Sequence, residues 1–248
     1  MIIDCHCHAG HGDGFRHPSL AHADVRPYVR RARAAGIGRS VVFATLNEGP
    51  YDRANEEVAA LVRADPRRWT GFVFLHPIAD RGRVADVVAR AVDVHGFRGI
   101  KVHWSNGPMS REIAEVAARR RLPVLYDPRG DTAAVELLAG EFDIPWIIPH
   151  LSSFADDWRA QTALIDQLAR LPNVFADTSG VRYFDLLVDV IKRAGPTKLL
   201  FGSDGPFLHP GVELAKVKAL GLPPREEALV TGGNIIRLVG GARRARAA

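Results

Sequence analysis

The stretch "IIDCHCHAG", residues 2–10, opens with apolar residues suited to a β-strand and then alternates cysteine with histidine. Side chains two residues apart on a strand lie on the same face. His6 and His8 are therefore predicted to share one face, with Cys5 and Cys7 on the other. The chain has only two cysteines, so Cys-x-Cys cannot complete a structural zinc site. The cysteines are interpreted as packing residues, and the histidines as two ligands of a metal site whose other ligands lie elsewhere.

Short apolar runs like this one recur along the chain and alternate with segments of helical spacing. The runs are "MIIDC", "SVVFAT", "WTGFVFL", "GIKVH", "PVLY", "WIIP", "NVFAD" and "KLLFGSD". The helical segments are 25–35, 54–64, 84–94, 111–120, 133–138, 161–171, 183–193 and 213–220. A strand followed by a helix, repeated eight times, predicts parallel strands with crossover helices. In about 250 residues this is the size of an α/β (β/α)8 TIM barrel. The alternative is an open doubly wound sheet, but no G-x-G-x-x-G follows the first strand.

Composition fits one domain over residues 1–248, with "ARRARAA" at 242–248 as a basic, disordered tail. The net charge is +5, but much of the arginine lies on predicted helix faces, which favours solvated surfaces over nucleic-acid binding. No apolar run approaches the roughly 20 residues of a membrane span. The strand-like start is unlike a secretory signal, and two cysteines at i and i+2 of one strand are not placed to pair with each other, so a reducing cytoplasm is expected.

The ends of the predicted strands carry a repeated set of polar residues. In chain order they are His6 and His8, His76, Lys101 and His103, Asp127 followed by Arg129, His150, Asp177, and Asp204. In a TIM barrel the carboxyl ends of all strands meet on one rim, where active sites lie. Ionisable residues that converge there are costly unless they are paired or bind a metal. A metal site at this rim is therefore predicted.

The order of these motifs resembles the amidohydrolase superfamily, in the amidohydrolase 2 branch that includes aminocarboxymuconate-semialdehyde decarboxylase. The resemblance is carried by "IIDCHCH", "GFRGIKVH", "IIPHLSS", "NVFADTSG", "LLFGSDGP" and "GGNIIRLVG", which span nearly the whole chain. It implies that His6 and His8 bind a metal, that Asp204 binds it and transfers a proton, and that His150 polarises water or substrate. It also implies one divalent ion. Imidazole and carboxylate ligands suit Zn²⁺ best here, with Mn²⁺ or Fe²⁺ as alternatives.

One position departs from the pattern of this family. Its members usually carry a histidine at the end of strand 5, where the segment "LPVLYDPRG" has Asp127. We expect Asp127 to replace that histidine as a metal ligand. The alternative is a salt bridge from Asp127 to Arg129 or Lys101. Asp4 is expected to share the face of His6 and His8 and to support them from deeper in the barrel.

These features predict a metal-dependent hydrolase that acts on a small, carboxylate-bearing amide, lactone or ester. Lys101, His103 and Arg129 offer positive charge or hydrogen-bond donors for binding an anionic substrate. Non-oxidative decarboxylation of a small unsaturated or aromatic acid is the main alternative, because the nearest named relatives perform it with the same ligands. A TatD-like deoxyribonuclease would carry a Glu at the end of strand 4, which "GIKVHW" lacks. A metal-free binding protein is a further alternative. Loops that are short for this family favour a homodimer.

Overall fold

The computed structural model describes residues 1–12, 21–154 and 157–244, with no side chains described for 242–244. The predicted tail at 242–248 therefore lies largely outside the described residues. One curled sheet runs in the order β2-β1-β3-β4-β5-β6-β7-β8-β9. Its strands are β1 (Ile2–His11), β2 (His22–Ala23), β3 (Ile37–Ala44), β4 (Trp69–Phe74), β5 (Gly99–His103), β6 (Val124–Asp127), β7 (Trp146–Ile148), β8 (Val174–Asp177) and β9 (Leu199–Leu200).

Every strand from β3 onward, and β1 itself, leads into a helix of the outer layer. The helices are α1 (Val25–Ala34), α2 (Asp52–Ala64), α3 (Val84–Ala89), α4 (Arg111–Arg120), α5 (Thr132–Glu141), α6 (Trp158–Arg170), α7 (Phe184–Arg193), α8 (Pro210–Ala219), α9 (Pro224–Ala228) and α10 (Asn234–Arg244). Single turns of π geometry are Arg90–Val94 and Leu229–Gly233, and 3₁₀ turns are Trp104–Asn106, Pro149–Ser152 and Pro196–Lys198. The predicted (β/α)8 alternation is confirmed.

The first and last strands close the sheet into a barrel. The backbone N–H of Cys5 donates to the carbonyl of Phe201 at 2.9 Å, and that of His8 donates to the carbonyl of Gly205 at 2.6 Å. A parallel bridge joins Cys7 to Gly205. Gly205 packs directly against α1, since a Cβ atom there would lie 2.4 Å from the Tyr28 ring. The strand that carries the predicted histidine ligands therefore lies beside the segment that carries Asp204.

Asp4 stabilises this closure, and its side chain lies outside the barrel lumen. Its carboxylate accepts hydrogen bonds from the Tyr28 hydroxyl at 2.6 Å and from the Ser203 backbone N–H at 2.9 Å, and it also binds the Ser203 hydroxyl. Burial raises the pKa of Asp4 to about 6, because taking its charge out of water outweighs these hydrogen bonds. The expectation that Asp4 shares the face of His6 and His8 is wrong, since its side chain reaches α1.

A β-bulge in β1 explains this difference. Asp4 pairs with Ser40 of β3 and Cys7 pairs with Val42, so two residues of β1 oppose a single residue of β3. The extra residue shifts the alternation of faces at Cys5 and His6.

Within the described residues, no helix has the length and hydropathy needed to cross a membrane.

Candidate metal centre

His6, His8 and Asp204 form a compact group of potential metal ligands inside the barrel. The two imidazole Nε2 atoms lie 3.4 Å apart, and the Asp204 Oδ1 atom lies 3.3 Å from each of them. All three residues are buried, and their ligand atoms lie within 4.8 Å of one another. The structure thus brings together three of the four residues that the sequence predicts as ligands.

Hydrogen bonds fix the orientation of both imidazoles. His8 Nδ1 lies 3.0 Å from the carbonyl oxygen of Ala44, and His6 Nδ1 lies 2.8 Å from the Asp177 Oδ2 atom. Both partners are acceptors, so Nδ1 carries the hydrogen in each ring, and Nε2 keeps its lone pair whenever the ring is neutral. Burial lowers the pKa of His6 to about 4, against the opposing charge of Asp177, and so His6 is neutral at pH 7. Neutral imidazoles with free Nε2 atoms fit a divalent metal ion.

Asp204 supplies the negative charge of the group. Burial acts to raise its pKa, but close contact with the imidazoles of His8 and His6 holds that pKa well below its usual range. The residue has a left-handed backbone with φ of 54°, which turns the chain sharply after β9. Two imidazoles and one carboxylate form a donor set that suits Zn²⁺ or Mn²⁺.

His150 lies beside the ligand group. Its ring centroid is 5.1 Å from that of His6, and the residue is 4% exposed. The Phe154 ring packs edge-on against it at 4.9 Å. His150 follows β7, as the sequence predicts, in a turn whose backbone is left-handed at three consecutive residues, His150, Leu151 and Ser152. Its position beside the ligands is compatible with the predicted catalytic role, which stays a prediction.

Asp127 is oriented toward a different partner from the one predicted. Its Oδ2 atom lies 3.2 Å from His103 Nε2, and its Oδ1 atom accepts the Arg129 backbone N–H at 2.9 Å. Burial acts to raise the pKa of Asp127. The charge of His103 and its hydrogen bond to the carboxylate outweigh burial and hold this pKa well below its usual range. Asp127 is not part of the three-residue ligand group. The geometry favours an ion-pairing role, with His103 as partner in place of the expected Arg129 or Lys101.

We therefore expect Asp127→Ala to leave metal affinity unchanged, because the carboxylate is already bound by His103 and the Arg129 backbone. The measurement is a zinc titration against a chromophoric chelator, with His103→Ala as the matched variant of the same pair. A loss of affinity in Asp127→Ala but not in His103→Ala would identify Asp127 as a fourth ligand.

The other predicted substrate-binding residues surround the same lumen. Lys101 is 1% exposed, and its ammonium lies 5.2 Å from the centroid of the Phe43 ring. Burial lowers the pKa of Lys101, while the charges of Asp127 and Asp204 oppose that effect. The exposed Arg129 guanidinium stacks on the Trp104 ring at 4.7 Å.

Both cysteines pack in the interior. They are fully buried, as predicted. The Cys7 thiol packs near Tyr28 of α1, on the outer face. Burial raises the pKa of the Cys5 thiol, and the charges of Asp177 and Asp4 raise it further. The outward orientation predicted for both cysteines agrees with the position of Cys7 and stays a prediction for Cys5.

Replacing both cysteines with Ala is expected to leave metal content intact, because neither thiol belongs to the ligand group. Lost packing should lower the free energy of unfolding by about 1–2 kcal/mol. Metal analysis and denaturant unfolding of the double variant check the two outcomes. Loss of metal from a variant that remains folded would show that a thiol supports the site.

Two strand-end residues have roles that the sequence did not assign. His76 caps a loop: its Nε2 bonds the carbonyl of Glu48 at 2.8 Å, and its Nδ1 accepts the N–H groups of Ile78 and Ala79. Asp177, by contrast, binds the ligand His6. The sequence signal for this contact was the position of Asp177 at the end of β8, on the same rim as the histidines.

Solved structures with the same fold support the architecture. An amidohydrolase from Burkholderia multivorans with bound zinc has a TM-score of 0.79 and 17% identity, covering 97% of this chain and 99% of that one. A dihydroxybenzoic acid decarboxylase from Polaromonas, with bound manganese and the inhibitor 2-nitroresorcinol, has a TM-score of 0.73 and 18% identity, covering 96% of each chain. The 4-oxalomesaconate hydratase of Rhodopseudomonas palustris has a TM-score of 0.73 and 16% identity, covering 100% of this chain and 98% of that one.

The sequence itself identifies the family. A comparison with curated proteins finds no match. The family model described as Amidohydrolase matches residues 3–241, which is nearly the whole chain, and this confirms the resemblance inferred from the motifs. The chain therefore belongs to the amidohydrolase family.

Proposed function

We propose that this protein is a metal-dependent hydrolase of a small, anionic substrate. The observation that carries the proposal is the convergence of the His6 and His8 Nε2 atoms on the Asp204 carboxylate at 3.3 Å inside the barrel. These three residues would hold one divalent ion, with Zn²⁺ favoured and Mn²⁺ or Fe²⁺ as alternatives. When bound, such an ion polarises a carbonyl group and lowers the pKa of water towards about 7.

Asp204 is proposed to accept a proton from the attacking water. One of its oxygens faces the two imidazoles, which leaves the rest of the carboxylate for proton transfer. His150 presents its ring beside His6 and is proposed to polarise the substrate carbonyl or the water. Both side chains are buried, and a site shielded from bulk solvent strengthens these electrostatic interactions.

Positive groups near the ligands suggest the charge of the substrate. Lys101 is buried in the lumen, and Arg129 stands exposed at the rim with its plane held by Trp104. A stacked guanidinium keeps its edge for a bidentate contact with a carboxylate. We propose that Lys101, Arg129 and His103 bind an anionic group of the substrate, with His103 held in place by Asp127.

Decarboxylation is the second candidate, and the similarity to a manganese-containing dihydroxybenzoic acid decarboxylase over 96% of the chain favours it. In that reaction a proton must reach carbon as CO₂ leaves. Either Asp204 or His150 is proposed to deliver it. Hydrolysis places the oxygen atom of water in the product, whereas decarboxylation does not, and this difference can be measured.

The test is a screen of the metal-loaded protein against carboxylate-bearing lactones, amides and esters and against unsaturated and aromatic acids, in ¹⁸O-labelled water. We expect turnover that places ¹⁸O in a carboxyl group of the product, that stops when a chelator removes the metal, and that returns with Zn²⁺ or Mn²⁺. Release of CO₂ from an acid without ¹⁸O in the organic product would identify a decarboxylase. Turnover that survives complete metal removal would contradict both candidates.

A further inference from the structure

We infer that Asp177 and Ser179 act as one positioning unit that fixes the imidazole tautomers of His6 and His150 together. The unit makes both rings present Nε2 to the lumen, and it links the proposed metal site to the proposed catalytic histidine. This inference rests on the proposed function for its catalytic meaning. Its structural content, the tautomers, is independent of any substrate.

Asp177 binds both histidines through different oxygens. Its Oδ2 atom lies 2.8 Å from His6 Nδ1. Its Oδ1 atom accepts the backbone N–H of His150 at 3.2 Å, the backbone N–H of Ser179 at 3.0 Å and the Ser179 hydroxyl at 2.5 Å. Asp177 is fully buried, and all of these partners are donors. A single carboxylate therefore holds a predicted metal ligand on one side and the backbone of the His150 turn on the other.

Ser179 completes the link to the His150 ring. Its carbonyl oxygen lies 2.8 Å from His150 Nδ1, and its Oγ atom lies 3.0 Å from the same nitrogen. A carbonyl can only accept, so His150 Nδ1 carries the hydrogen. The Ser179 hydroxyl hydrogen is directed to Asp177, and its oxygen is thus a second acceptor for His150. In the neutral ring the Nε2 atom of His150 consequently keeps its lone pair, as in His6.

The backbone around the unit is specialised for this contact. His150, Leu151 and Ser152 have φ values of 57°, 50° and 84°, a left-handed run that non-glycine residues rarely adopt. Gln161 holds the turn by donating to the carbonyls of His150 and Ser153, each at 3.1 Å. Strained backbone persists where its surroundings enforce it, and it clusters at functional sites.

Gly180 keeps the space beside His150 open. Its φ is 64°, and an added Cβ would lie 2.6 Å from the Phe154 ring and 3.4 Å from His150 Nδ1. A side chain at position 180 would therefore collide with the Phe154 ring and crowd the His150 ring. The strained turn, the glycine and the carboxylate therefore serve the same end, which is one fixed orientation of the His150 ring.

The link predicts different consequences for changes at its two residues. Asp177→Asn puts an amide NH₂ where the carboxylate accepts donors, so one side of the network must break. Metal affinity should fall about 10–100-fold, the usual cost of losing a partner that orients a metal-binding histidine. Ser179→Ala removes the 3.4 Å approach of the Ser179 Oγ atom to His6 Nδ1 but keeps the Ser179 carbonyl and the shorter 2.8 Å contact of Asp177 with His6, so metal affinity should stay near that of the parent. It removes the second acceptor of His150, and we expect turnover at saturating metal to fall about 10-fold with little change in KM.

The decisive test is long-range ¹H–¹⁵N NMR of histidine-labelled protein without metal, which reports the tautomer of each ring directly. His6 and His150 in the parent protein are expected as Nδ1–H tautomers. In Ser179→Ala both rings should keep their Nδ1–H form, because the Ser179 carbonyl and the Asp177 carboxylate remain, and in Asp177→Asn His6 should change. Thr178→Val is the matched control, because Thr178 is fully buried beside this unit and its hydroxyl bonds the backbone of Gly202, at 3.2 Å. Its tautomers should match the parent.

An Nε2–H tautomer for His150 in the parent protein would overturn the inference, and this result does not depend on any variant folding. Unchanged tautomers and metal affinity in a folded Asp177→Asn would overturn it as well. A protein with the expected tautomers but no hydrolase or decarboxylase activity would instead count against the proposed function alone. The two failures are thus distinguishable.

Discussion

Asp204→Asn is expected to lower turnover about 10²–10⁴-fold, the range for loss of a positioned acid-base group. The Asp204 carboxylate lies 3.3 Å from both His6 and His8 Nε2 atoms and is only 8% exposed. Asn has the same shape but cannot take a proton from water. The amide oxygen is also a weaker metal ligand. The rate must therefore be measured at saturating metal, so that lost chemistry is separated from lost metal.

A buried carboxylate outside the lumen provides the control for this variant. Asp80 is 1% exposed, binds the His76 backbone N–H at 2.8 Å and pairs with Arg83 at 3.1 Å. Asp80→Asn should cost stability in its loop while turnover at saturating metal stays near that of the parent. If Asp204→Asn, fully loaded with metal, turns over as fast as Asp80→Asn, the proton acceptor is a different residue.

The strands and helices were predictable because each depends on a local pattern. Strands of a parallel barrel are buried on both faces and therefore read as short apolar runs. The run "GIKVH" coincides with β5 at Gly99–His103, and the predicted helix 111–120 coincides with α4. Disagreements occur at β2 and α9, which the sequence pattern did not predict, and at helix ends: α8 begins at Pro210, three residues before the predicted start at 213. Capping by His209, whose ring accepts the Gly211 N–H, sets that start.

The ligand group was predictable for a similar reason, and its surroundings were not. His6 and His8 still bring their Nε2 atoms within 3.4 Å of each other, although the register shift lies between Asp4 and Cys7. The bulge itself depends on how β1 pairs with β3 and with the segment after β9. The ion pair of Asp127 likewise depends on register, which sets it directly opposite His103 across β5 and β6. Sequence order shows both residues at strand ends but does not show which of their neighbours they meet.

His8→Ala should abolish stoichiometric zinc binding. His8 supplies one of three clustered ligand atoms, and its Nε2 atom is directed to Asp204 by the bond from Nδ1 to the Ala44 carbonyl. Removing it leaves one imidazole and one carboxylate, fewer than the three protein ligands that zinc sites commonly use. The loss should exceed the roughly 10–100-fold cost of removing an outer partner such as Asp177.

Metal content after dialysis against limiting zinc, together with competition by a chromophoric chelator, measures this effect without a substrate. His76→Ala is the matched control, since His76 is 7% exposed, close to the 6% of His8, and also ends a strand but binds only loop backbone. It should keep a full equivalent of zinc. The His8 ring also packs at 4.7 Å against Phe43, so His8→Ala should be checked for folding by circular dichroism. A folded His8→Ala protein that retains zinc as tightly as His76→Ala would place the metal away from the His6, His8 and Asp204 group, and the hydrolase proposal would lose its central observation.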